Sequence, residues 1–163
     1  MEPARRNGPA DRASTWLALA GGGLVLALAL LVTASVLRRW LTSQPIPGDF
    51  ELVQIGLAVA VFAFLPVCQL HGANIIVDSF TARAPTRLQA LLDSLWALLY
   101  AALAGLIAWQ MVAGTREAFA SHTSSMVLAL PVGWGMALAT AFAFWLAVVA
   151  LVTAARAVQR ARA

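Results

Sequence analysis

Charge is what this chain has least of: only 11% of its 163 residues are Asp, Glu, Lys or Arg. A water-soluble domain carries roughly a quarter charged residues to keep its surface hydrated, so a soluble enzyme is excluded. Cysteine occurs once, at Cys68, and cannot form an internal disulfide. With two histidines beside it, a closed structural zinc site is excluded too. Lysine is missing altogether. All 11 basic residues are arginines, set in small groups between apolar runs. The net charge of +4 and pI near 11.0 therefore give no continuous basic face of the kind nucleic acid requires.

What is present is apolar: 61% of the residues are hydrophobic and the mean hydropathy is +0.82. Uncharged or nearly uncharged stretches run over 13–37, 52–77, 94–115 and 118–155. About 20 helical residues cross a ~30 Å hydrocarbon core at ~1.5 Å each, so each stretch holds one helix. Ser121 to Ser125 are too polar for lipid, which moves the last span later. The expected fold is all-α, a polytopic membrane protein with transmembrane helices near 16–37, 51–71, 93–113 and 128–155. Strands are disfavoured, because the runs lack a two-residue alternation and lipid penalises an open sheet edge.

Arg5, Arg6 and Arg12 precede the first run as in a secretion signal. Its length and the following Arg38-Arg39-Trp40 anchor identify it instead as a retained span. Eight arginines fall on the N-terminal tail, the middle loop and the C-terminus, against three on the other two loops. The positive-inside rule puts both termini in the cytoplasm, with Arg38 and Arg39 snorkelling to the outer headgroups. Residues 1–13 are expected to form a disordered tail, 14–158 the membrane domain and 159–163 a basic end. No internal repeat is evident, so an inverted-repeat transporter within this one chain is unsupported.

Ionisable groups inside spans carry membrane chemistry, because their burial is costly and persists where it serves pairing or transport. The first and fourth spans have none. A proton-coupled exporter would need a deep carboxylate, and a di-haem cytochrome would need histidines at facing depths. His71 and His122 fall at opposite ends of the spans, so no catalytic centre, cofactor or metal is expected. The polar residues that remain are candidates for subunit contacts or structure. Asp49 reads as an N-cap, and Glu51 complements the positive end of the second helix. Gln54 and Gln69 lie within ~60° of each other on that helix, marking a face that prefers protein to lipid. Pro66 should kink the span, and Cys68 reads as a small buried apolar residue. Gly72 is placed to end the helix; were the helix to continue, His71, Asn74 and Asp78 would share a face. The third helix opens on Pro85 and a capping box of Thr86 and Gln89, and Asp93 follows near the inner interface, within reach of Arg83 or Arg87.

Small residues recur at every fourth position, at Ala97, Ala101 and Gly105, and again at Gly135, Ala139, Ala143 and Ala147. Such stripes let helix backbones approach closely. Pro131 is expected in the first turn of the fourth helix, where a missing amide is tolerated.

The order of motifs carries a family resemblance. It runs from a basic tail and first span to Gly48-Asp49-Phe50-Glu51-Leu52. Leu65-Pro66-Val67-Cys68-Gln69-Leu70-His71-Gly72-Ala73-Asn74-Ile75-Ile76-Val77-Asp78 comes next, then Ser125 with Leu130-Pro131-Val132-Gly133-Trp134. This resembles the small four-helix membrane subunit of the tripartite ATP-independent periplasmic (TRAP) transporters. Gly72, Ile75, Val77 and Asp78 match the family's pattern after the second helix, while Asn74 stands where histidine is common. The resemblance implies three partners acting together: a solute-binding protein that captures an organic acid, a large membrane subunit that carries it with sodium, and the small subunit as scaffold and docking surface. The alternative is a tetraspan accessory protein of another membrane enzyme or sensor complex. On either reading Glu51, Gln54, Gln69, Gly72, Asn74, Asp78 and Asp93 are the expected assembly residues.

Overall fold

The computed structural model describes residues 8–71 and 86–162. Four helices account for most of them: α1 (Pro9–Thr42), α2 (Asp49–Leu70), α3 (Thr86–Ala120) and α4 (Val132–Arg162). Among the described residues the only extended pairing is a single antiparallel bridge between Ser124 and Pro131. The all-α expectation holds, and each helix is long and apolar enough to cross a bilayer.

The helix ends differ from the sequence expectation for local reasons. Pro9 occupies the first turn of α1, where its missing amide costs nothing, and Asp11 sits beside the positive dipole end. Residues 9–12 are therefore helix rather than tail. At its other end α1 continues through Arg38-Arg39-Trp40 and stops at Ser43, whose φ of 59° is left-handed. The segment 38–50 is thus the end of α1 plus a short Pro45- and Pro47-containing turn, with no separate interfacial helix. Asp49 is the first residue of α2 rather than its cap, a place taken by Gly48. At φ 76°, Gly48 sits so close to the later α3–α4 loop that a Cβ there would lie 2.2 Å from the Leu128 side chain. Only glycine permits both the turn and that approach. Pro131 precedes α4 rather than opening it, because the Val132 amide donates to the Thr123 carbonyl at 3.1 Å. At ~1.5 Å per residue, the 22 residues of α2 match a ~30 Å hydrocarbon core, whereas α1, α3 and α4 at 34, 35 and 31 residues overrun it.

In packing, α1 lies on α2, α2 on α4 and α4 on α3. The densest seam joins α3 to α4 through Ala101, Ala104, Leu146, Ala147, Ala150 and Ala154. Ala139, Ala143 and Ala147 are buried as their spacing suggested, but Gly105 is not part of the seam, and Ala104 and Ala108 take its place. A four-residue step turns ~40° past one full rotation, so the buried line must fall back to a three-residue step. Gly135 faces α2, where a Cβ would come 2.5 Å from the Ile55 side chain. On α1 only Ser14, Gly21 and Ser35 are buried. They stand at multiples of seven, with Leu28 on the same line against Gly56, so α1 meets α2 along one narrow seam.

Candidate functional site

Two loops meet at one end of the bundle, the α1–α2 turn and the α3–α4 connection. The α1–α2 turn is tied by Ser35, a buried hydroxyl on α1 that donates to the Asp49 carboxylate and accepts the Ile46 amide at 3.1 Å. Asp49 also accepts the Phe50 amide at 2.7 Å, which fixes its carboxylate over the first turn of α2.

One helical step further, Glu51 reaches across to the other loop. Its two oxygens accept the amides of Val127 at 2.7 Å and Leu128 at 3.0 Å, one each. Within that loop the Ser125 amide donates to the Leu130 carbonyl at 2.9 Å, and the Ser125 hydroxyl accepts the Leu130 amide at 3.1 Å. Ala129 takes a left-handed φ of 51° to close the turn. A carboxylate accepting backbone amides is among the stronger neutral-to-charged hydrogen bonds. Glu51 therefore holds the loop on the start of α2, a larger role than the dipole effect its position first suggests. The loop presents an apolar tip: Met126 is fully exposed and Val127 largely so. Phe50, Trp134 and Trp40 are exposed at the same end. Trp134 also meets Phe119 edge-on at 5.6 Å, which locks the end of α3 to the start of α4. Trp16 and Trp96 are exposed toward the other end and Trp109 midway along α3, so four of the five exposed tryptophans flank the apolar lengths of the helices. This is the distribution of an interfacial aromatic belt.

The interior is polar at few points, and those points join helices. The Trp145 indole N–H donates to the Ser14 hydroxyl at 3.0 Å, tying α4 to α1. Gln69 donates from its amide nitrogen to Thr153 at 2.9 Å, tying α2 to α4. The Thr115 and Thr140 hydroxyls lie 2.8 Å apart between α3 and α4, one donating to the other while the second donates to a carbonyl of its own helix. Among the described residues, the buried polar side chains are Ser14, Ser35, Ser94 and Thr140, and none is left without a hydrogen-bond partner.

The candidate residues are dispersed rather than gathered. Glu51 is in the loop clamp and Gln69 in the α2–α4 contact. Gln54 is exposed at the rim of a cleft beside α4, and Asp93 is exposed on α3. Gly72, Asn74 and Asp78 lie outside the described residues, as do Arg83 and the side chain of Arg87. His71 caps α2, its Nδ1 2.9 Å from the Val67 carbonyl oxygen, and Cys68 is half-buried. Ser35, Ser14 and Thr140 escaped the sequence reading, because serine and threonine in an alanine-rich span are equally at home bonded to their own helix. For Ser14 and Ser35 a signal did exist in their heptad spacing with Gly21. Among the described residues no three of His, Cys, Asp or Glu gather where they could hold a metal ion.

Neither a curated protein nor a solved structure matches the chain. A family model does, that of the DctQ component of the tripartite ATP-independent periplasmic transporters, over residues 28–160. That match takes in the end of α1, all of α2 and α3 and nearly all of α4, including the Glu51 clamp and every tie between α2, α3 and α4. A tetraspan with those helices and those motifs in order belongs to the DctQ family, the small membrane component of TRAP transporters.

Proposed function

We propose that this chain is the small permease subunit of a sodium-coupled importer of an organic acid, a wall of the transporter rather than its conduit. In this reading it stands beside the large membrane subunit in the bacterial inner membrane, with both termini in the cytoplasm. The end carrying the Glu51 clamp then faces the periplasm and offers its apolar tip to the solute-binding protein.

The observation that carries the reading is the interior: among the described residues, each buried polar side chain is engaged in a bond within the chain, and no buried Asp, Glu, Arg or His is present. A solute or sodium path needs uncommitted polar groups facing a cavity across the membrane. What polar groups remain point outward: Gln54 and Asp93 are exposed on apolar helices. Polar side chains on a span avoid hydrocarbon, which supports a membrane partner over Asp93 and a polar neighbour, a protein group or a lipid linkage, at Gln54. Glu51, Gln54, Gln69, Gly72, Asn74, Asp78 and Asp93 are assigned to that assembly, either at the contact or holding the chain in shape for it.

Co-purification with an untagged large subunit is the direct test. Asp78→Ala and Asp93→Ala should each lower recovery of the large subunit and transport by the reconstituted complex; wild-type levels of both would remove these residues from the interface. A reporter fused to the C-terminus should report cytoplasm. Solute uptake into liposomes by this chain alone would overturn the scaffold reading itself.

A further inference from the structure

α2 and α3 both lean on α4, and between them, beneath the 124–126 segment of the clamped loop, lies a cavity of about 480 Å³. That is within the range of sites that enclose a small organic ligand. Its walls are apolar, with Ile55 and Phe62 from α2 and Met136 from α4. Polar groups are confined to the loop end, where Glu51, Gln54 and the serines of the loop line it. Glu51, Gln54, Ala58 and Phe62 follow one another at three- and four-residue steps, so a single face of α2 supplies a carboxylate, an amide and then an apolar trough.

The depth of these groups suits one kind of molecule. The apolar stretch of α2 begins at Leu52, which puts Glu51 at the level of lipid headgroups. Gln54 lies about 4.5 Å deeper, where the ester linkages of a phospholipid sit. The Gln54 amide is exposed there and makes no hydrogen bond among the described residues. It can donate to an ester carbonyl, with the acyl chain running down the trough past Ala58 and Phe62. Glu51 accepts from the loop, from the Val127 and Leu128 amides and also from Ser125 and Met126, yet its negative charge meets no cation among the described residues, and an ammonium is drawn to that uncompensated charge. No Arg, Lys or His lines the upper part of the cavity. A purely anionic headgroup would therefore set its phosphate beside a carboxylate with nothing between them, whereas a primary ammonium bridges the two.

We propose that this cleft binds one diacyl phospholipid with a primary-ammonium headgroup, its ammonium on Glu51, an ester carbonyl on Gln54 and one acyl chain in the trough. The assignment does not depend on which side of the membrane this end faces, nor on the solute carried by the transporter.

Native mass spectrometry of the full chain, released from detergent with equal amounts of phosphatidylethanolamine and phosphatidylglycerol, tests it. The wild type should retain the ethanolamine lipid in preference by about tenfold, the worth of one charge-assisted contact. Gln54→Leu should lower that retention by about fivefold through loss of one hydrogen bond. Ala58→Trp, placed on an exposed position of the rim so that the helices still pack, should abolish retention of both lipids with an unchanged helical circular dichroism spectrum. Equal retention of the two lipids would overturn the headgroup assignment. Undiminished retention in both variants would overturn the site. Loss of the lipid when the large subunit is bound would hand the cleft to a protein side chain.

Discussion

The α3–α4 pair and the α1–α2 pair are held together in different ways. Between α3 and α4 a run of alanines is buried over several turns, with Ala108 and Ala150 wholly inaccessible. α1, by contrast, buries Ser14, Gly21 and Ser35 and little else, and is pinned near its two ends by hydrogen bonds, Ser14 to Trp145 and Ser35 to Asp49. In lipid there is no hydrophobic gain from bringing two apolar helices together, so association rests on close backbone approach and on bonds between polar groups. The first pair uses approach along its length. α1 uses one narrow seam and two pins, which leaves most of its apolar surface to lipid or to another chain.

Breaking the alanine seam should cost most. Ala150→Leu forces a branched side chain into a space with no room, and overpacking of this kind costs about 3 kcal/mol. Thermal unfolding in detergent should show a single lowered transition, and an unchanged midpoint would show that the seam does not hold the pair. Gly21→Leu tests the other contact: a Cβ at Gly21 already lies 3.1 Å from that of Ala63, so a larger side chain must push α1 away. An expected loss of about 2 kcal/mol should appear as faster amide exchange in α1, with α3 and α4 still protected. If all four helices exchange together, the two pairs are one cooperative unit.

Ser35→Ala removes a pin and strands the Ile46 amide, for about 1 kcal/mol, read in the same exchange experiment as loosening of residues 43–50. The smallest effect is expected next door to the largest one on α1. An added Cβ at Gly22 meets nothing within 4 Å, so Gly22→Ala should stay within about 0.5 kcal/mol of wild type. A loss equal to that of Gly21→Leu would mean that the seam is misplaced by one residue.

Much of this could be read from residues alone. The four apolar runs announced four helices because the length needed to cross hydrocarbon is a property of the bilayer, and the ordered motifs pointed to the family that the match over 28–160 establishes. Ends were harder. Pro9 and Asp11 extend α1 outward, and Gly48 displaces Asp49 from the cap, since caps depend on what the rest of the chain brings to them. Glu51 was legible as a charge at a helix start but not as a clamp, because the Val127 and Leu128 amides it holds are 76 and 77 residues away and are groups that any sequence would supply. Gln69 showed only that its face wanted protein, and the identity of Thr153 as its partner required the helices to be placed.

By itself, then, the order of residues settled the number of spans, the all-helical class and the poverty of ionisable groups in the first and last of them, because each follows from the local cost of putting a residue in lipid. Which alanine faces which helix, which loop closes over α2, and the cleft beneath that loop came from the tertiary arrangement alone. Those features depend on distances between residues far apart in the chain, and such distances leave no mark on local hydropathy.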